Sequence, residues 1–419
     1  MSQIKAPKGT KDVLPGQTER WQYVEAKFRE IAGKFGFSEI RTPIIEHTEL
    51  FTRGIGDTTD VVEKQMFTFE DKGGRSITLK PEGTAGVARA YMEGKLYADT
   101  KPVKLWYEIA CFRHEKPQMG RLREFHQFGI EVFGSDDMLA DAEVIAFADA
   151  FFKSLGITSL SLSINSIGCP ECRPLYRKQL MDYFDGYIDE LCDTCKGRLE
   201  RNPMRIFDCK SKVCQGIANK APVMLDFLCD DCSSDFTELK ENLISMDVLF
   251  EIDSRIVRGL DYYTKTAFEF VSGSLGAQDA VCGGGRYDHL LKNIGGEDIP
   301  GVGFGLGIER LIMILEAASA GFPDAAAPDV IIISVGEQAK KRSLKILGEL
   351  RKEGLTAEMD DCFRNMKGQL KYADKRSARF ALIIGDDELA AGKIKIRDMK
   401  AGEQRECGFT DIVNEIKKW

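Results

Sequence analysis

No apolar run in the chain approaches the length of a membrane span; the greasiest stretch, Val330-Ile331-Ile332-Ile333-Ser334-Val335, has the size of one buried strand. The opening residues Met1-Ser2-Gln3-Ile4-Lys5 lack the apolar centre of a secretory signal, so a cytoplasmic location is expected. In that compartment the twelve cysteines are not expected to form disulfides. An excess of positive charge is also missing: the net charge is −8, which disfavours indiscriminate binding to polyanions. What is present is 419 residues, 43% hydrophobic and 30% charged, enough for two or three globular domains with ample cores. The charge is unevenly spread. From Asp329 onward 19 Lys and Arg face 16 Asp and Glu, a net +3, which leaves −11 on the rest. A basic tail on an acidic body permits local nucleic-acid contact without stickiness everywhere.

Residues 103–133 read as one long hairpin whose inward face is polar where a core strand would be greasy. On the returning strand Phe125, Gln127, Gly129, Glu131 and Phe133 share one face, because strand side chains alternate. His126, Phe128, Ile130 and Val132 lie behind as packing material. An aromatic ring, an amide, a gap and a carboxylate in line suggest the floor of a pocket, with Gly129 leaving room against the backbone. The outgoing strand carries Val103, Leu105, Tyr107, Ile109 and Cys111 on one face, followed there by Arg113 and Glu115. The turn from Lys116 to Arg121 is basic and holds the Pro and Gly of a loop. A surface hairpin with solvated charges would not place Phe125 and Gly129 on the polar face.

Helical spacing of Trp21, Val24, Phe28, Ile31, Ala32 and Phe35 predicts a helix over Glu19–Phe35. Strands are expected at 37–41, 65–70, 76–80, 159–164, 249–257, 266–271 and 280–285, with helices at 141–155 and 308–318. Thr84 is placed to cap a helix running through Tyr91 and Met92. Strands joined by hairpins indicate an antiparallel sheet with flanking helices, hence an α+β fold class. This core spans residues 1–322 and is interrupted at 169–246 by a helical, charged insertion that holds eight of the twelve cysteines. The segment 318–328 has linker composition, and residues 329–419 alternate as βαβαβ, with a further strand at 393–398 and a helix at 411–419. They form a small α/β domain with a largely parallel sheet.

Cys111-Phe112-Arg113-His114-Glu115 with Arg121-Leu122-Arg123-Glu124-Phe125 resembles motif 2 of the class II aminoacyl-tRNA synthetases. Gly305-Leu306-Gly307-Ile308-Glu309-Arg310 resembles motif 3, and the helix and strand ending at Pro43 resemble motif 1. Val257-Arg258-Gly259-Leu260-Asp261-Tyr262-Tyr263-Thr264 and Cys282-Gly283-Gly284-Gly285-Arg286-Tyr287-Asp288 resemble the signatures of the histidyl-tRNA synthetase family. The likeness covers essentially the whole chain. Lys80 and Lys116 depart from it, standing where arginines would be expected.

The resemblance implies a six-stranded antiparallel core, a homodimer built partly through motif 1, and histidine, ATP and tRNA as substrates. It implies catalytic roles for Arg113 and Arg258 at the α-phosphate, with Mg²⁺ bridging the pyrophosphate oxygens. ATP contacts would fall to Arg113, Glu115, Arg121, Phe125 and Arg310, adenine lying between Phe125 and Arg310. The histidine ammonium would meet Glu82, Thr84 and Gln127. Reading an imidazole requires polar partners at both ring nitrogens. Glu131 suits one, and a hydroxyl from Tyr262 or Tyr263 the other; the family likeness favours Tyr263. The tail would bind the anticodon.

Cys169/Cys172, Cys192/Cys195, Cys209/Cys214 and Cys229/Cys232 have spacings suited to structural zinc, with Cys192, Cys195, Cys229 and Cys232 as the first grouping to consider. The family implies no general zinc requirement, and reduced, unliganded cysteines are the alternative. Other readings are a non-catalytic regulatory paralogue from histidine biosynthesis, a zinc-dependent nucleic-acid-binding protein, and a synthetase for another amino acid. The first should lack the Arg258 segment and the tail, the second leaves the hairpin unexplained, and only the imidazole-reading residues separate the third.

Overall fold

A computed structural model describes every residue except 1–2, 57–58, 208, 274–279, 319–321, 324–326 and 363. Much of the expected linker therefore lies outside the described residues. The chain divides into two compact units, Met1–Pro323 and Asp324–Trp419. Among the described residues no helix is long and apolar enough to cross a membrane.

The hairpin organises the first unit. Val103–Phe112 pairs antiparallel with Glu124–Phe133, Val103 opposite Phe133 and Phe112 opposite Glu124. An eight-stranded sheet grows from it in the spatial order Ser38–Glu39, Val103–Phe112, Glu124–Phe133, Gly301–Gly307, Ala280–Arg286, Thr264–Ser272, Leu160–Ser166, Glu251–Ile252. The six inner strands are antiparallel throughout, and a two-residue strand lies parallel at each edge. The strands expected at 37–41 and 249–257 shrink to those edges. At the second edge the chain turns early: Arg255 N–H donates to Asp253 Oδ1 at 3.0 Å, and Asn165 Nδ2 donates to the carbonyl of Ile256 at 2.9 Å. That turn frees the following residues to lead Arg258 over the sheet.

Helices Thr18–Lys34, Met138–Ser154, Asp230–Ser245 and Ile308–Ala317 contribute to the core on one face of the sheet. Val24, Phe28, Ile31 and Ala32 form the buried stripe of the first helix, and Phe28 stacks on Phe128 with ring centroids 4.4 Å apart. Truncating such a ring to alanine costs about 3–5 kcal/mol. The second helix starts where Asp137 accepts the Leu139 amide at 2.7 Å, satisfying one free donor of its first turn. The other face of the sheet carries Leu105, Tyr107, Ile109, Tyr263 and Tyr287, and there the site lies.

Thr84 opens the helix Thr84–Glu93 as its first residue and does not cap it. Glu82 takes that role, its carboxylate accepting the amides of Thr84 at 2.8 Å and Ala85 at 2.9 Å. The longer glutamate side chain reaches around Gly83 to the buried amides of the first turn.

After Gly168 the chain leaves the sheet for helices Cys172–Asp185, Asp193–Arg201 and Lys212–Ala218, which bury a small core of their own. Helix Asp230–Ser245 packs Phe236, Leu239 and Leu243 into the main core. The cysteines group as Cys169, Cys172, Cys229 and Cys232, and as Cys192, Cys195, Cys209 and Cys214. This corrects the first grouping considered, Cys192 and Cys195 with Cys229 and Cys232. Cys229 and Cys232 begin the helix that returns to the sheet, so they meet the chain where it departs.

In the second unit a five-stranded sheet runs Ala357–Met359, Val330–Ser334, Phe380–Ile384, Lys393–Asp398, Gln404–Gly408. The first three strands are parallel, joined through helices Glu337–Lys352 and Met366–Lys375, and the last two are antiparallel. The sheet is thus mixed and not largely parallel. Gln404–Gly408 was not expected as a strand because its residues are half-buried or exposed and show no apolar alternation.

Candidate active site

One cavity on the site face is lined by Glu82, Thr84, Arg113, Glu115, Arg121, Phe125, Gln127, Arg258, Tyr262, Tyr263 and Arg310. Its floor follows from strand register. Tyr107 stands opposite Gly129, Gly129 opposite Gly305, Gly305 opposite Gly283, and Gly283 opposite Glu269. Three neighbouring strands therefore each place a glycine in one transverse row, making a trough with Tyr107 at one end and Glu269 at the other. The strand Gly301–Gly307 alternates glycine toward the site with Val302, Phe304 and Leu306 toward the core. That period-two alternation is the sequence signal for the trough.

The trough is used for close approach. A methyl on Gly129 would lie 2.2 Å from the Tyr107 ring, so the gap read from the sequence is filled by that side chain. A methyl on Gly283 would lie 2.5 Å from the Arg258 guanidinium. Arg258 is held there by a hydrogen-bonded ion pair with Glu269 and lies 5.5 Å from the centroid of Tyr263. Burial opposes its charge, but Glu269 outweighs it and holds the guanidinium above the ordinary arginine range. Its Nε–H is buried and has no hydrogen-bond partner among the described residues.

Arg113 donates from Nε to the Pro81 carbonyl at 2.8 Å and lies over Phe125, 5.1 Å from the ring centroid. Arg310, expected opposite Phe125, donates from Nε to the Gly120 carbonyl at 3.1 Å and from Nη1 to the Ala280 carbonyl. Arg121 pairs with Glu115 at 3.2 Å. The motif 2 turn is closed by paired backbone bonds between Gln118 and Arg121, with Gly120 at φ +69°. Lys80 is buried and donates to the Thr42 carbonyl and hydroxyl, both at 3.2 Å.

Gln127 accepts from the Cys111 thiol at 3.3 Å, and burial pushes that thiol up to about 12, keeping it protonated. Burial also raises the Glu82 carboxyl, against the amides of Ala85 and Thr84 and the charge of Arg113. Glu131 is placed differently from its neighbours. It is fully buried and does not line the cavity; Tyr107 donates to its Oε1 at 2.9 Å and Tyr287 donates to its Oε2. Burial pushes its pKa up to about 8 despite those bonds, so it carries a proton at neutral pH. Alternation put it on the correct face, but the cross-strand reach of Tyr107 sets it one layer deeper.

The sequence reading missed Glu269, Glu309 and the partnership of Tyr107 and Tyr287. Glu309 lines the cavity, accepts the His126 amide at 3.0 Å and pairs with His126 Nδ1 at 3.0 Å. Its signal was position: it sits one residue before Arg310, at the head of a helix that begins where the glycine strand ends.

A family model described as histidyl-tRNA synthetase matches residues 9–170 and 230–311. The chain belongs to the histidyl-tRNA synthetase family. A model described as an anticodon binding domain matches residues 329–419. The histidine–tRNA ligase of Clostridioides difficile (strain 630) is 52% identical over 99% of both chains. That of Caldanaerobacter subterraneus subsp. tengcongensis is 51% identical, again over 99% of each. The crystal structure of apo histidyl-tRNA synthetase from S. aureus superposes with a TM-score of 0.84 at 37% identity, covering 99% of this chain and 100% of that one. A Bacillus halodurans protein described as an ATP phosphoribosyltransferase regulatory subunit/histidyl-tRNA synthetase has a TM-score of 0.66 at 21% identity and shares the fold alone. Within the histidyl-tRNA synthetase match, the gap between residues 170 and 230 is filled by the cysteine-bearing helices.

Proposed function

We propose that the chain ligates L-histidine to its cognate tRNA in two steps. A histidine carboxylate oxygen attacks the α-phosphorus of ATP, and the bond to pyrophosphate breaks. The 3′-terminal ribose hydroxyl of tRNA then attacks the carbonyl carbon of the adenylate, releasing AMP. One observation supports this above others: cations suited to phosphate and acceptors suited to an amino acid line one cavity over a row of glycines. The charge that grows on the α-phosphate requires donors already in place. Arg113 and Arg258 supply them, each held by a partner other than substrate. Arg310 and Arg121 take the outer phosphates, and Phe125 and Arg310 flank adenine.

Glu82, Thr84 and Gln127 accept the ammonium. Tyr263 and the Glu131–Tyr107–Tyr287 cluster address the two imidazole edges. Glu115, which lines the cavity, would help hold a Mg²⁺ arriving with the nucleotide. When bound, the ion neutralises the leaving pyrophosphate. The regulatory reading is not favoured, because the relatives at about 50% identity over the full length are histidine–tRNA ligases. ATP–pyrophosphate exchange with each amino acid in turn tests the proposal; exchange supported by any amino acid other than histidine, or by none, overturns it.

A second copy of the chain completes the enzyme. The sheet of Ile45–His47, Phe67–Glu70 and Ser76–Leu79 is turned inside out: Glu46 and Thr78 are buried, while Ile45 and Phe69 are 52% and 47% exposed on the opposite face. An outward apolar sheet face adjoining the motif 1 strand fits a self-complementary partner. The tail contacts the anticodon.

A further inference from the structure

We propose that the segment 169–232 holds two structural zinc ions, one in each cysteine quartet. The four sulfur atoms of each quartet lie within 4.8 Å of one another. Cys169 is 3.6 Å from Cys172 and 3.8 Å from Cys229, and Cys192 is 3.8 Å from Cys209. Those separations are far beyond a disulfide bond of about 2.05 Å. They match a tetrathiolate site: zinc–sulfur bonds of about 2.3 Å set tetrahedral edges of about 3.8 Å.

Backbone donors support the sulfurs in the manner of a metal site's outer layer. The amide of Cys229 donates to Cys172 Sγ at 3.2 Å, that of Cys192 to Cys214 Sγ at 3.3 Å, and that of Ser211 to Cys209 Sγ at 3.5 Å. Helices Cys172–Asp185, Asp193–Arg201 and Asp230–Ser245 all begin at these cysteines, so their positive ends face the thiolates. The other four cysteines, Cys111, Cys282, Cys362 and Cys407, belong to neither quartet. Chance clustering of core thiols would not select eight of twelve and sort them four and four.

The fold gives the metals a task. A segment of this length buries little apolar surface, and small units of this kind are commonly completed by metals. The first quartet fastens the departing chain to the returning helix across a 60-residue separation. The second lies beside the active site, Cys192 and Cys209 lining a neighbouring cavity with Arg121 and Arg310. From the same segment, Arg205 Nη1 donates to the Arg258 carbonyl at 3.3 Å, and Arg173 donates to the Tyr263 carbonyl. The zinc-closed unit thereby positions the loop that carries both residues.

The test uses the full chain purified under reducing conditions without chelator. Elemental analysis should find about two zinc atoms per chain. Cys169→Ser with Cys172→Ser should leave one, Cys209→Ser with Cys214→Ser should leave one, and Cys362→Ser should keep both. Growth on cobalt should give the sulfur-to-metal charge-transfer and tetrahedral d–d absorption of a tetrathiolate, a readout that needs no variant to fold. Wild-type protein with no stoichiometric metal, with iron in place of zinc, or with cobalt spectra lacking sulfur ligation overturns the proposal. So does a quartet variant that retains both zinc atoms.

Discussion

Arg258 has its charge secured by Glu269 and its location by the missing side chain of Gly283, so in the proposed reaction it would meet the transition state already oriented. Arg258→Ala should slow histidine-dependent pyrophosphate exchange at least about 100-fold, the scale of one lost preorganised donor. Exchange within threefold of wild type would remove its catalytic role. Glu131 makes a different prediction. Its folded pKa of about 8 exceeds the ordinary 4.5, so the folded state keeps a proton that the unfolded chain loses. The resulting stabilisation is complete below the unfolded value and is lost as pH rises toward the folded one. Glu131→Gln should therefore flatten the decline of the denaturation midpoint across that window; an unchanged profile would show that Glu131 does not titrate there. The same variant should weaken histidine binding about tenfold, the scale of one buried hydrogen-bonding group left unmatched, while ATP binding stays within about twofold. Calorimetric titration of each ligand separates the two, and equal losses would count against an imidazole contact.

Among the elements, the hairpin was legible because a polar row on a strand with apolar backing has few explanations. Its partner strands were legible only as strands. That Gly129, Gly305 and Gly283 fall in one row depends on register between segments far apart in sequence, which no local pattern states. Glu269 was hidden for the same reason. The short edge strands failed otherwise, since side-chain bonds from Asn165 and Asp253 ended the second of them against its strand propensity. The row gives a graded test. Gly283→Ala should cut exchange about ten- to a hundredfold by displacing Arg258, in line with the cost of misplacing a catalytic group. Gly305→Ala should be milder, because its methyl would meet only the Gln127 amide at 3.3 Å. Equal effects would mean that displacement of Arg258 is not what the Gly283 methyl costs.

For the whole molecule, the outward face around Ile45 and Phe69 was not legible, because alternation in short strands does not say which side is covered. Ile45→Lys with Phe69→Lys should convert a dimer to monomers in sedimentation velocity and lower aminoacylation. A monomeric wild-type protein with full activity would rule out the second copy. A separate consequence comes from the strand Glu124–Phe133. Glu131 lies four steps beyond Gln127, and each advances the chain by about 3.3 Å, so the two positions stand about 13 Å apart along one ridge. Side-chain length is thus gauged in peptide units. Deleting one residue between them would turn the carboxyl to the greasy side, and no drift of single side chains could restore the measure.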